Sequence, residues 1–144
     1  VGEGEERRKL AGLAEELGIS SCLALPGLSD SPEDFYPLFD LFVVPSLTET
    51  GPMVLQEAMA AGVACVASDV GCAGEFMGET GVVVQPGDED GFLGAVSKLL
   101  VDEELRRELG RRARVRIMEN YDIDIWGDRI LEIYRSILEK HSVG

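Results

Sequence analysis

Apolar residues along this chain fall into two alternating patterns. Four short continuous runs stand out: Cys22-Leu-Ala-Leu25, Leu41-Phe-Val-Val44, Ala64-Cys-Val-Ala67 and Gly81-Val-Val-Val84. Runs of this length, bounded by Pro or small polar residues, predict buried strands. Helical spacing separates them. Leu10, Leu13, Ala14 and Leu17 share one face of a predicted helix over 5–17, and Gly18 ends it. Asp30 or Ser31 caps a second helix, with Pro32 at its first position, running to about Phe39. Residues 52–61 read as a helix apolar on nearly all sides and ended by Gly62. Asp88 caps a helix whose apolar positions are Phe92, Val96, Leu99 and Leu100. Two long helices close the chain, at about 103–119 and 124–139.

Continuous apolar strands alternating with helices predict a parallel sheet covered on both faces. The expected fold class is α/β, a Rossmann-like doubly wound sheet forming one domain over 1–144, with carboxyl-terminal helices from about 103. With no strand after them, those helices are expected to wrap the sheet or reach another domain. The length of 144 residues fits one domain. The chain opens on Val1 without an initiator Met, as a domain cut from a longer protein would.

Charge narrows the partners. The net charge of -14 argues against nucleic acid, whose backbone is held by concentrated Lys and Arg. It leaves an anionic small ligand open, because helix-start amides hold phosphate without side-chain cations. Of the three cysteines, Cys22 and Cys65 lie in strand-like runs, which predicts buried reduced thiols and a cytoplasmic setting. Arg106, Arg107, Arg111, Arg112, Arg114 and Arg116 crowd one helix, with Glu103, Glu104 and Glu108 at salt-bridge spacing. They read as a solvated, ion-paired face, or else as a peripheral contact with the inner face of a membrane. Asp122-Ile-Asp124 and Asp88-Glu-Asp90 read as helix starts and not as metal ligands. His141, the one histidine, lies in the tail, away from any predicted chemistry.

Ligands of open α/β sheets bind at the carboxyl ends of the strands. The segment after the second predicted strand, Pro45 to Gly62, is the unusual one there. Glu49 precedes its helix and Glu57 lies inside it, about one and a half turns in. A charge on an apolar helix is costly to bury without a partner. Two carboxylates flanking a helix start make a site for a sugar and a ribose, with the positive helix end between them for a diphosphate. Both glutamates could equally be solvated.

Several segments, in order, resemble the carboxyl-terminal domain of the family 4 glycosyltransferases. These are Val1-Gly-Glu-Gly4, Pro45-Ser46, Glu49 with Glu57-Ala-Met-Ala-Ala-Gly62, Asp69-Val-Gly71, Glu75 and Gly81 to Asp88. The likeness continues through Tyr121 and Tyr134. It implies the second half of a two-domain GT-B enzyme, a retaining hexosyltransferase that uses a nucleoside-diphosphate sugar and no metal. It implies that Glu57 binds the donor ribose hydroxyls and that Glu49 stands at the transferred sugar. Thr50, Gly51 and Met53 would face the diphosphate, and Gly27 and Leu28 the nucleobase. Pro52 departs from the commonest pattern, which has Gly, and offers no N–H. Gly71-Cys-Ala-Gly74 would either approach the donor sugar or form a tight turn. The resemblance also implies a missing amino-terminal acceptor domain and missing phosphate-binding cations, so the chain alone is expected to be inactive. Two other readings remain at this point: a sugar-nucleotide epimerase of the same fold, and a non-catalytic flavodoxin-like module. The second fits poorly, since the strands end in Pro26, Pro45, Ser68 or Asp69, and Pro86 rather than in paired acids.

Overall fold

A computed structural model describes residues 2–141, and side chains as far as residue 139, so Val1 and the side chain of His141 lie outside the described residues. The chain divides into two compact units, residues 1–35 and 36–144.

In the first unit, helix α1 (Arg7–Glu16) stops where expected. Gly18, at φ +69°, lets its own N–H reach Glu15 and the next N–H, of Ile19, reach Ala14, which satisfies the last carbonyls of the helix. Only Ala14 of the predicted apolar face is buried, while Leu10, Leu13 and Leu17 stay exposed. The strand predicted over Cys22–Leu25 does not form. Ser20–Cys22 is a single 3-10 turn, and the residues after it are irregular. A strand exists only by bonding to a neighbouring strand. Here the Cys22 and Leu23 N–H groups turn back to Ile19 and Ser20, and the Leu25 carbonyl accepts the Arg7 guanidinium at 2.6 Å. Cys22 is accordingly exposed and not buried.

The helix predicted from Pro32 forms as a 3-10 helix, Pro32–Leu38, and not as an α-helix. Pro37 lies inside it, where its ring would clash with the carbonyl four residues back in an α-helix and disfavours α geometry at Tyr36.

The second unit holds three parallel strands in the order β1 (Phe42–Val44), β2 (Cys65–Ser68) and β3 (Val82–Val84). Val43 pairs with Val66, and Ala67 with Val83. All four residues of β2 are buried. Its side chains alternate between faces. Cys65 and Ala67 meet Leu55, Met59, Ala73 and Met77 from α2 (Met53–Ala60) and α3 (Ala73–Met77). Ala64 and Val66 meet Val84, Leu99 and Leu109, from β3, α4 (Glu89–Val101) and α5 (Glu103–Asn120). Helices thus cover both faces, as the pattern predicted. Asp88 caps α4 by accepting the Gly91 N–H at 2.9 Å. Helix α6 (Ile123–His141) packs against α5 and leaves Trp126 and Tyr134 exposed.

The arginines of α5 divide their work. Arg107 pairs with Glu103, and Arg111 forms two hydrogen bonds with Glu108, holding its carboxyl below the usual range. Three others do more than line an ion-paired face. Arg106, which also lies 3.7 Å from the Asp40 carboxylate, donates to the Leu99 and Leu100 carbonyls. Arg114 donates to Ala60, and Arg116 to Phe76 and Glu75. Each thereby satisfies carbonyls at the carboxyl end of α4, α2 or α3, where a cation also offsets the helix dipole.

Helix α5 can reach α2 because Gly110 has no side chain. A Cβ at Gly110 would overlap the Gly62 carbonyl oxygen and stand 3.2 Å from the Ala64 nitrogen. Gly62, at φ +80°, itself closes α2 with the same paired bonds that end α1. Gly110→Ala is therefore expected to destabilise the fold by about 1–3 kcal/mol through overpacking, against its better helix propensity. Gly94→Ala, on the open face of α4 with nothing within 4 Å, is expected to raise stability. Thermal midpoints of opposite sign would check both. The thiols give a second test. Burial pushes the Cys65 thiol up to about 12, so it holds its proton through neutral pH. Because the folded value lies above the ordinary value of 9.0, this group favours the fold below pH 9, and that contribution is lost as pH rises toward 12. At pH 8 a thiol reagent should label exposed Cys22 in the folded protein and reach Cys65 only on unfolding, as mass spectrometry of labelled peptides would show.

Candidate functional site

Strand β1 ends at Val44, and Pro45 turns the chain out of the sheet because it cannot continue the ladder. The loop Pro45–Gly51 then leads into α2. Its path is fixed from the neighbouring strand connection. Gly71, at φ +55°, packs so closely on this loop that a Cβ would overlap the Thr50 carbonyl and lie 2.6 Å from the Glu49 carbonyl oxygen. The Cys72 N–H donates to the Thr50 carbonyl at 3.1 Å. Gly71 thus makes a tight turn against the Glu49 loop, while Gly74 lies inside α3.

Glu49 is exposed, and its Oε1 accepts the Ser46 hydroxyl at 3.1 Å. Pro52 occupies the N-cap position and not the first helical turn, so α2 begins at Met53. No side chain caps this helix. The Leu55 N–H turns back to the Pro52 carbonyl at 3.0 Å, leaving Met53 and Val54 as helix-start donors. Helix α2 is not apolar all round in its setting. Leu55, Ala58 and Met59 are buried, while Met53, Val54 and Glu57 are exposed. The three exposed residues lie on one side, at i, i+1 and i+4.

Glu57 has a partner that the sequence pattern did not reveal. The Tyr36 hydroxyl donates to its Oε2 at 2.5 Å. Tyr36 is 6% exposed, and its ring meets Phe42 at 5.6 Å and Phe39 at 6.1 Å, both edge-on. A tyrosine close in sequence to two phenylalanines is the one signal available there, since a buried phenol needs a partner for its hydroxyl.

Glu49, Thr50, Gly51, Met53 and Glu57 therefore belong to one loop–helix unit at the carboxyl end of β1. Gly27 and Leu28 belong to the first unit. Gly27, at φ +84°, turns against Glu3, and Leu28 is exposed. Among the hollows of the second unit, one of 640 Å³ is lined by the α5 ion pairs Glu103–Arg107 and Glu108–Arg111. Another, of 410 Å³, opens at the strand ends beside the same loop, between Leu47, Phe92 and Leu93, with Asp88 and Glu89 in its lining. Its carboxylates and absent cations suit it poorly to phosphate. No Lys or Arg occurs anywhere between Lys9 and Lys98, so this loop–helix unit carries no cation of its own and offers an anion its amides, its hydroxyls and the helix dipole. Asp122 accepts the Asp124 N–H at 3.0 Å, a turn at the start of α6.

Known proteins share this sequence and this architecture. A family model described as glycosyl transferases group 1 matches residues 1–116. The N-acetyl-alpha-D-glucosaminyl L-malate synthase of Bacillus anthracis is 32% identical over all of this chain, which spans 38% of that protein. The lipopolysaccharide core biosynthesis glycosyltransferase LpsE of Rhizobium meliloti is 31% identical over 94% of the chain, which spans 41% of it. Among solved structures, sucrose-phosphate synthase from Thermosynechococcus elongatus superposes with a TM-score of 0.84 at 29% identity, covering 95% of this chain and 35% of that one. Anabaena HepE in complex with UDP gives 0.83 at 21% identity over 90% of this chain and 36% of that one, a likeness of fold. The architecture is that of the GT-B glycosyltransferases. By its matched family model and by relatives above 30% identity across nearly its whole length, the chain belongs to the glycosyl transferases group 1 family.

Proposed function

We propose that this chain is the donor-binding part of a retaining glycosyltransferase, one that moves a hexose from a nucleoside-diphosphate sugar to an acceptor. The observation that carries the reading is the pairing of Glu49 and Glu57 across one uncapped helix start. Glu57, held by Tyr36, accepts the ribose hydroxyls of the donor. Such charge-assisted bonds contribute about 1.5–3 kcal/mol each. The Met53 and Val54 amides and the positive end of α2 face the diphosphate, with Thr50 and Gly51 completing the approach. Glu49, steadied by Ser46, stands at the transferred sugar and binds one of its hydroxyls.

In this reading catalysis stabilises the departing diphosphate, and no metal takes part. Amides and a dipole begin that task, and full side-chain cations complete it. The segment between Lys9 and Lys98 has none to offer. In this reading the cations and the acceptor site lie in a further amino-terminal region of the whole enzyme. The chain by itself binds donor weakly and transfers nothing. Glycosylated product formed by the purified chain would overturn this.

Titration calorimetry of UDP, GDP and ADP tests the site directly. One nucleotide should bind, and Glu57→Ala should weaken it about tenfold or more. An unchanged affinity would remove Glu57 from the site. Gly71→Ala tests the loop. The new methyl displaces the Glu49–Thr50 backbone, so hydrogen exchange at residues 48–51 should accelerate and affinity for the same nucleotide should fall. Unaltered exchange there would show that the turn does not hold the loop.

A further inference from the structure

We propose that Tyr36 is a positioning residue of the donor site, fixing the Glu57 carboxylate in the orientation that receives a cis-diol. This rests on the reading of Glu57 as the ribose ligand. Glu57 is exposed on α2, and a free glutamate there would sample several rotamers. Its Oε2 is held instead by a phenol whose ring cannot follow it. Tyr36 is a member of the core that contains Val44, Leu55 and Met59. Phe39 and Phe42 meet its ring edge-on and stack on each other at 6.0 Å. The donor atom therefore has the rigidity of the core, while the acceptor lies at the surface.

The geometry suits the chemistry of a vicinal diol. An ionised carboxylate has about four lone-pair sites on two oxygens. Tyr36 takes one, on Oε2, and leaves Oε1 and the second Oε2 site for two adjacent hydroxyls. Without Tyr36 the same contacts form only after the side chain is ordered, which weakens binding without changing any ligand contact. A merely structural bond between the 3-10 helix and α2 would lower stability and would not distinguish between sugars.

The test uses Tyr36→Phe, which keeps the ring in the core, and Glu57→Gln. Each is titrated with UDP, GDP and ADP and with their 2′,3′-dideoxy counterparts. Tyr36→Phe should weaken the bound ribonucleotide by about fivefold to tenfold and leave the dideoxy form unchanged. An equal loss for both forms would overturn the proposal. So would no loss at all in Tyr36→Phe while Glu57→Gln abolishes the preference for ribose. If Glu57→Gln retains that preference, the ribose reading of Glu57 fails on its own. A second measurement needs no nucleotide: side-chain scalar couplings of Glu57 by NMR. They should report one rotamer in the parent and averaged rotamers in Tyr36→Phe. Averaged couplings already present in the parent would overturn the proposal.

Discussion

A parallel strand bonded on both edges and buried on both faces has almost no freedom to move, and β2 is such a strand. Its register with β1 and β3 fixes where both neighbours end. Its alternating side chains anchor α2 and α3 on one face and α4 on the other, and α5 contributes to both clusters through Ala113 and Ile117 on the first and Leu109 on the second. Everything that leaves the carboxyl edge of the sheet starts from that frame. The loop bearing Glu49 leaves from β1, and the glycine turn that carries it leaves from β2. A close backbone packing between the two, at Gly71 and Thr50, transfers the rigidity of β2 to a loop with little packing of its own.

The second constraint is the fate of helix ends. Gly18 and Gly62 close α1 and α2 by the same left-handed turn, each returning two N–H groups to the last carbonyls. Carbonyls that remain are met by arginines from α5, which lies along the ends of three helices. In a chain of net charge -14 this is a local use of scarce cations. They neutralise negative dipole ends at the carboxyl termini of helices, while the positive amino-terminal end of α2 stays uncapped and open. Charge is thus arranged in opposite senses at the two ends of the same layer.

What the sequence made legible follows from the range of the interactions involved. Glycine caps, the Asp88 cap and the long helices depend on a few adjacent residues, and these were readable with small errors at the boundaries. The central strands were readable because a continuous apolar run has few places to go. Cys22–Leu25 has the same composition and fails to form a strand, because pairing is set by a neighbour and not by the run itself. The 3-10 winding of Pro32–Leu38 was local in cause, since Pro37 sits within the segment, yet the capping pattern before it pointed to an α-helix. The two glutamates and their loop were legible by spacing and by family resemblance. Tyr36 was not, because its bond to Glu57 joins residues 21 positions apart, and nothing in either local pattern announces the other. The arginines misled for the same reason: glutamates at helical spacing were visible, and carbonyls 40 or more positions away were not.

The proposed reading places a phosphate in an acidic protein, and the distribution of charge bears on it. A carboxylate near a diphosphate repels it by about 1 kcal/mol at 4 Å in water and more strongly where water is excluded. In that reading Glu57 avoids the conflict by facing the ribose, a turn away from the helix start, with the Tyr36 phenol keeping it there. Glu49 accepts the Ser46 hydroxyl, on the side the reading gives to the sugar. Between them the helix presents amides and no competing side chain, because Pro52 contributes neither a cap nor a charge. In the proposed reading, neutral donors in the centre and carboxylates held to the flanks match the sequence of groups along a sugar nucleotide: hydroxyls, phosphates, hydroxyls. A site ordered in the proposed way selects its ligand by where each carboxylate is held, and so depends as much on the groups that orient Glu49 and Glu57 as on the glutamates themselves.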